Sequence, residues 1–475
     1  MSYSTDFHRD YIAMQKIWER CRHAKAGEDA VKLKGEVYLP RLGGQTDEQY
    51  NAYKTRARFF NAFNKTITGH VGLAMRKPIL ITVPEAMEKI NDNIDRNGAD
   101  VSAYVKAILT ELLEVGRVIS LIDYTKLDAE ATMLDAETAR PYWIQYKAEE
   151  FIDWEYTEDG VLIYGVFRET EEQRGAHHHQ KYRYRVVELI DGVYTQSIFI
   201  EDSSDPVEVV TPRIAGKTLD FIPVIIHQTD YDTSVDLPPL LDLVNLCMSH
   251  YRLKADQMHA LHYVALPTPY IIGVDPTDED FPDTIGPHKV WGITAPDAKV
   301  GMLEFTGAGV EAIDRELKSM EDQMAIIGAR VLLPEVSENT ATASNLRSIS
   351  ETSDLVSIVT ILSRQVQMML EFTALWGNMS GEVELQMSTH FLPAELDASM
   401  VTALVGAWQN GGFDYDTLID NFKRAEIVDP EKTVEELQAS TEQEGEARMQ
   451  KAAEAMAAME TAGGGPDEDE EEDEG

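Results

Sequence analysis

Cysteine is nearly missing from this 475-residue chain: only Cys21 and Cys247 occur, far apart and with no paired-cysteine or cysteine–histidine ligand spacing. That excludes a disulfide scaffold and a zinc module, and it fits a reducing compartment. Positive charge is scarce as well. Asp and Glu total 83 against 42 Lys and Arg, a formal net charge of −41 with no basic tail. A protein that grips phosphates along its surface needs a basic footprint, so the balance argues against tight DNA binding of the usual kind. Weak, repulsive contact with a passing polyanion is compatible with it, as is acidity that serves solubility alone. There is no signal-peptide-like apolar core near the start and no unbroken run of ~18 apolar residues, so a soluble, intracellular chain without membrane contact is expected.

Catalytic constellations are poor. His177-His178-His179 forms the one histidine run, behind Arg174-Gly175 and between expected strands, where it reads as an exposed hairpin tip rather than a metal site. No Gly-Lys-Ser/Thr phosphate loop is present, so ATP hydrolysis would belong to a partner. His259 and His262 lie three apart on an expected helix and suit surface or packing roles. Gly463-Gly464-Gly465 is a linker. With 83 carboxylates, chance proximity explains any acidic pair. The residues therefore assign no catalytic group, no metal ligand and no cofactor, and a non-enzymatic protein is expected.

What the chain does contain is length and apolar content for two or three domains, with 43% hydrophobic residues. A helical block is expected from about Tyr11 to Gly116, interrupted at Leu80 to Pro84, with its last helix near Val101 to Val115. The run Val118 to Tyr124 then reads as a strand. Short strands follow at Val161 to Arg168, Lys181 to Glu188, Tyr194 to Ile200 and Ile222 to His227, with hairpin signals at Asp159-Gly160 and Asp191-Gly192. From Asp236, apolar residues at Leu240, Val244, Cys247, Tyr251, Met258 and Leu261 predict a helix of about six or seven turns. Pro267 and Pro269 end it. A compact insert with strands at Tyr270 to Val274 and Lys299 to Phe305 leads to a second helix over about Ala308 to Ile327. The polar, Pro334-containing stretch from Gly328 to Thr342 has the composition of a mobile loop. A long helix should follow, with Leu355, Val359, Leu362, Val366, Met369 and Trp376 on one buried face. Glu384 to Ser388 reads as a return strand, Pro393 to Met459 as helical, and the run Asp467 to Glu474 as a tail that buries nothing.

The most informative stretch is Gly35 to Pro78, GEVYLPRLGGQTDEQYNAYKTRARFFNAFNKTITGHVGLAMRKP. Tyr38, Leu39, Pro40 and Gly43-Gly44 read as an extended entry and a tight turn. Thr46, followed by Asp47 and Glu48, caps a helix expected to carry Lys54, Arg56, Arg58 and Lys65 and to end near Arg76-Lys77 before Pro78. This segment resembles the N-terminal signature of a branch of tailed-phage portal proteins, and the order of the later elements is similar to theirs over most of the chain.

The resemblance implies an α+β fold with the parts of a portal. These are a wing (1–235), a first stem helix (236–266), a small α/β clip (267–307) and a second stem helix (308–328). A tunnel loop with its long helix and return strand (329–392), a helical crown (393–463) and an acidic tail (464–475) complete it. It further implies a homo-oligomeric ring of about twelve subunits at one capsid vertex, found in the virion and, during assembly, in the host cytoplasm. Its partners would be the major capsid protein, the large subunit of the terminase motor, a head–tail adaptor and double-stranded DNA passing without sequence specificity. Channel-lining candidates are Lys254, Arg315, Lys318, Arg330, Glu335, Glu338, Asn339, Asn345 and Arg347, where a ring would repeat each charge as a belt. Asp275, Asp278, Glu279, Asp280 and Asp283 in the clip are candidates for docking the motor or adaptor. Two other classes fit the composition: a scaffold or minor head protein without a channel, and a metal-dependent hydrolase using the histidine run.

Overall fold

In the computed structural model, residues 7–126, 139–172, 180–201, 203, 205–230, 233–264, 268–275, 277, 297–303, 308–329, 341–389, 391, 398–425, 427–429 and 432–462 are described. The chain divides into two units, Met1–Thr389 and His390–Gly475.

The first unit begins with helices α1 (Arg9–Ala26), α2 (Glu28–Leu33), α3 (Asp47–Arg56) and α4 (Ala62–Ala74). Thr46 caps α3 as expected, and Gln49 completes a capping box by accepting from the Thr46 N–H while its own N–H donates to the Thr46 hydroxyl. The single helix expected over Thr46 to Lys77 is instead two. Ala57 leaves the helical region, the Phe59 N–H donates to Glu28, and Asn61 caps a fresh helix. Phe59 is thereby swung into the core, edge-on to Tyr251 at 6.0 Å, and that burial outweighs the continuous helix.

Next come β1 (Leu80–Thr82), α5 (Glu85–Asn91) and α6 (Val101–Val115). Helix α6 has Asp100 as N-cap and stops at Gly116, whose left-handed φ of 78° fits a residue without a Cβ. Strands β2 (Arg117–Tyr124) and β3 (Pro141–Lys147) pair antiparallel, and β11 (Val224–Gln228) joins the other edge of β2 to give the order β11-β2-β3. Between them in sequence lie β4 (Phe151–Tyr156), β5 (Leu162–Glu172), β6 (Gln180–Ile190), β7 (Val193–Ile200) and β8 (Glu208–Val210), an antiparallel meander, then the two-residue pair β9 (Arg213–Ile214) and β10 (Lys217–Thr218). At Asp191-Gly192 both residues have positive φ, 49° and 76°, as a tight hairpin turn demands. The turn at Asp159-Gly160 is wider, running from Thr157 to Val161. The expected strands at 118–124, 161–168, 181–188 and 194–200 are all present, while β3 and β4 were missed.

The chain continues through α7 (Leu241–Val264), the hairpin β12 (Thr268–Ile272) and β13 (Lys299–Leu303), α8 (Ala308–Met324) with a π-helical turn over Ala325–Ala329, then α9 (Ala341–Trp376) and β14 (Glu384–Gln386), which pairs with β1. Leu237-Pro238-Pro239 delays the start of α7 by about a turn relative to Asp236, because proline lacks the N–H that a helix interior needs. The expected face of α9 is buried: Leu355, Val359, Leu362, Val366, Met369 and Trp376 are all inside. The stretch Asp354–Trp376 is long and apolar enough to cross a bilayer by composition, yet its Thr373 hydroxyl accepts from Trp143 Nε1 (2.8 Å) within the core.

Alternation puts Arg117, Ile119, Leu121 and Asp123 on one face of β2 and Val118, Ser120 and Ile122 on the other. The first face meets the meander. At its far end Arg185 bonds Asp123 (3.2 Å), Glu169 (2.8 Å) and Gln196 (2.9 Å). Burial opposes the charge of Arg185, but those carboxylates hold it above the ordinary range. At the near end Arg117 is fully buried with its guanidinium over the ring of Trp154 (4.1 Å) and no hydrogen-bond partner among the described residues, so burial pulls its pKa down to about 10. On the other face, Tyr104 donates to Ser120 (3.2 Å), Ser120 contacts His227 Nε2 (3.0 Å), and His227 Nδ1 contacts Gln365 Oε1 of α9 (2.9 Å). The Tyr104 donation leaves the Ser120 proton for Nε2, so His227 is neutral and donates from Nδ1. Complete burial drives its pKa down to about 4.

A second polar knot ties α1 to α6. Arg22 bonds Glu111 (2.6 Å), Glu114 (2.9 Å) and Glu149 (2.9 Å), and Lys25 bonds Glu114 (2.5 Å). Both cysteines are buried free thiols, and burial pushes Cys21 up to about 12.

The second unit comprises α10 (Ala398–Gln409), α11 (Tyr415–Arg424) and α12 (Val434–Ala462), with Leu418 and Ile419 buried. The acidic run at 467–474 and the histidine run at 177–179 lie outside the described residues.

Candidate functional site

The part of the molecule with a distinctive architecture is the unit of two helices joined through a small hairpin, α7–β12–β13–α8. Helix α7 has two characters. Leu243, Val244, Cys247, Met248, His250 and Tyr251 are buried, whereas Leu261 and His262 are exposed. Its 24 residues span roughly 36 Å at the α-helical rise.

The N-terminal signature braces the middle of this helix. Arg252 Nε donates to the Tyr38 carbonyl (2.9 Å), and the Tyr50 hydroxyl donates to the Leu39 carbonyl (2.9 Å), fixing the extended entry. The Tyr53 hydroxyl donates to Asp256 (2.6 Å), and its ring meets His259 edge-on at 5.2 Å, with Arg56 3.4 Å from the same imidazole. Burial, reinforced by the Asp256 carboxylate that accepts its proton, raises the Tyr53 phenol well above its ordinary range. Arg20 on α1 adds a 2.6 Å bond to Asn245. His259 thus has a packing role.

Helix α8 packs against α7, and its apolar residues Val310, Ile313, Leu317, Met320 and Met324 are spaced alternately three and four apart, with Leu317 and Met324 buried. Two polar ties cross the pair. Gln257 donates to Asp314 (3.0 Å) while accepting from Lys254 (2.7 Å), and His250 Nε2 meets Glu321 at 3.2 Å. Burial lowers the His250 pKa against the pull of Glu321, so the imidazole is neutral and donates its Nε2 proton. The outer side of α8 exposes Glu311, Arg315, Glu316, Lys318 and Asp322. The hairpin pairs Thr268 to Ile272 with Leu303 to Lys299, and a Cβ at Gly301 would fall 2.5 Å from the Tyr270 ring. At the other end of α8 the π turn seats Gly328 against Thr66 and Leu243, where a Cβ would lie 2.7 Å and 3.0 Å from their side chains.

Of the residues expected to line a channel, Arg315 and Lys318 are exposed on α8, whereas Lys254 is half-buried and bonded to Gln257. Asn345 and Arg347 fall in the first turns of α9. Arg330, Glu335, Glu338 and Asn339 lie outside the described residues. Among the acidic residues expected to dock a partner, Asp275 is exposed and accepts from the Thr277 N–H (2.9 Å) and hydroxyl (2.7 Å), which hold its carboxyl below the usual range. Asp278, Glu279, Asp280 and Asp283 lie outside the described residues. The braces themselves were not foreseen from sequence, since each joins residues about two hundred positions apart.

A domain family described only as a domain of unknown function, DUF4055, matches residues 239–377, from just before α7 to the end of α9. No curated protein matches the chain. Among solved structures, a chain from the virion of a native gene transfer agent particle aligns at 11% identity and a TM-score of 0.41, covering 80% of this chain and 94% of its own. A chain from the neck of an empty particle of the same kind, determined with C6 symmetry, aligns at 10% identity and 0.42, covering 81% and 95%. A third, from the neck of the native particle with C12 symmetry, gives 9% identity and 0.39, covering 75% and 86%.

Proposed function

We propose that this chain is one subunit of a portal ring of a tailed phage or phage-like particle, a conduit for double-stranded DNA without catalytic activity of its own. The observation that carries the reading is the bracing of α7 by the signature segment. The residues that resemble portal proteins, Tyr38 through Arg56, bond to the helix that would be the first stem. A helix that satisfies its own backbone and is clamped from one side makes a stiff stave, and staves repeated about an axis make a wall. In this reading 236–266 and 308–328 are the stem, 267–307 is the clip that meets the motor and later the adaptor, and 393–463 is the crown. The net −3 of α8, with five acidic and two basic residues, would repel the phosphate backbone and leave only transient basic contacts.

The loop expected over 328–342, whose first residues belong to the π turn and whose last begin α9, would project into the channel at its narrowest level. Replacing Glu335 and Glu338 with Lys is expected to leave ring assembly intact and to slow packaging, because a belt of positive charge would hold the DNA backbone. Raising salt should relieve part of the defect by screening. Packaging at the normal rate at low salt, with intact rings, would show that this stretch does not line the channel.

A further inference from the structure

The loop-side end of the β2–β3 pair, the β6–β7 pair, β8, Arg213 and the end of α9 enclose a cleft of about 320 Å³. In a chain with twice as many acidic as basic residues, this cleft reverses the balance: Lys126, Arg183, Arg185 and Arg213 line it against Asp123 and Glu208. The four cations are not equally committed. Arg185 is held by Glu169, Asp123 and Gln196, and Lys126 is paired with Glu208. Among the described residues, Arg183 spends Nε and Nη2 on Glu169, leaving Nη1, and Arg213 makes one bond, from Nη1 to the Gly216 carbonyl (3.3 Å), leaving Nε and Nη2. Arg213 is exposed and the Arg183 side chain is 41% exposed, so both can turn their spare donors toward a bound group.

Half-buried Tyr124 and Tyr142 supply flat walls, with Tyr124 backed by Trp376 at 6.3 Å. Guanidinium donors facing an oxyanion beside aromatic faces are the chemistry that holds a phosphate and stacks the base attached to it. We propose that this cleft binds a phosphate group of a nucleic-acid strand, with Arg213 and Arg183 as the oxyanion donors and Glu208 as the carboxylate that restrains affinity. The site stands independently of ring formation.

The test uses the full chain, with fluorescence anisotropy of a labelled single-stranded ten-nucleotide DNA at low salt and native mass measurement on the same samples. Expected are salt-sensitive binding, a loss of about tenfold for R213A and of binding altogether for R183A/R213A. E208Q should tighten binding about threefold, because it removes an opposing charge and releases Lys126. Inorganic phosphate and a mononucleotide, added as competitors, separate the sources: the mononucleotide should compete better if stacking contributes, and equal competition would assign the site to phosphate alone and overturn the nucleic-acid reading. Undetectable binding, a double variant that binds like the wild type, or a labelled strand that neither competitor displaces would also overturn it.

Discussion

His227 offers a quantitative check on how α9 is anchored. Its imidazole has no exposure to solvent, donates to Gln365 and accepts from Ser120, and a proton on Nε2 would replace an acceptor with a second donor facing a hydroxyl already oriented by Tyr104. The folded pKa near 4, against 6.5 when unfolded, means the unfolded state takes up a proton first as pH falls. The stability is therefore fully present above pH 6.5 and is lost as pH falls toward 4. Opening of β2 and β11 should become easier by about 2 kcal/mol at pH 5 and about 3 kcal/mol at pH 4. Because a chain of this size does not unfold in one step, the suitable readout is amide hydrogen exchange in peptides covering 117–124 and 224–228. Wild type is compared with H227Q, whose neutral side chain removes this titration while other groups cancel. A difference that stays flat from pH 7.5 to 4 would refute the buried relay.

Two further substitutions probe the scaffold. R22M should cost about 3–5 kcal/mol, since it leaves Glu111, Glu114 and Glu149 facing one another with Lys25 bonded to Glu114 alone, and thermal unfolding of the first unit should shift accordingly. G328A should cost about 1–3 kcal/mol because its methyl group meets Thr66 and Leu243 inside contact distance, and exchange at the π turn should rise while that at α1 is unchanged.

Local and periodic signals carried the elements that the sequence revealed. Thr46 announced a helix start, Asp191-Gly192 announced a hairpin, and the alternating three–four spacing from Leu355 to Trp376 fixed the buried face of α9. The break at Ala57 was illegible because no proline or glycine marks it; the cause is the distant pocket beside Tyr251 that takes Phe59. Strands β3 and β4 escaped notice because the Ala148-Glu149-Glu150 segment between them carries no Gly, Pro, Asn or Asp turn signal, and both are set by pairing across the sheets. At the candidate site the charges Arg315 and Lys318 of α8 were expected only through the resemblance to portal proteins, whereas Tyr53–Asp256 and Arg252–Tyr38 depend on tertiary approach and have no trace in local composition. Lys254 shows the limit most clearly, since helical position alone could not distinguish a lumen charge from a residue bonded to Gln257 between two helices.

The central claim of the proposed function is that copies of this chain close into a ring around a channel. Electron-microscope images of the purified protein, paired with native mass measurement, test it directly. The account predicts top views with rotational symmetry and a central opening, and a mass near about twelve times the 53.3 kDa chain. A protein that stays monomeric across concentration and salt, or that assembles into particles without an axial opening, would contradict it.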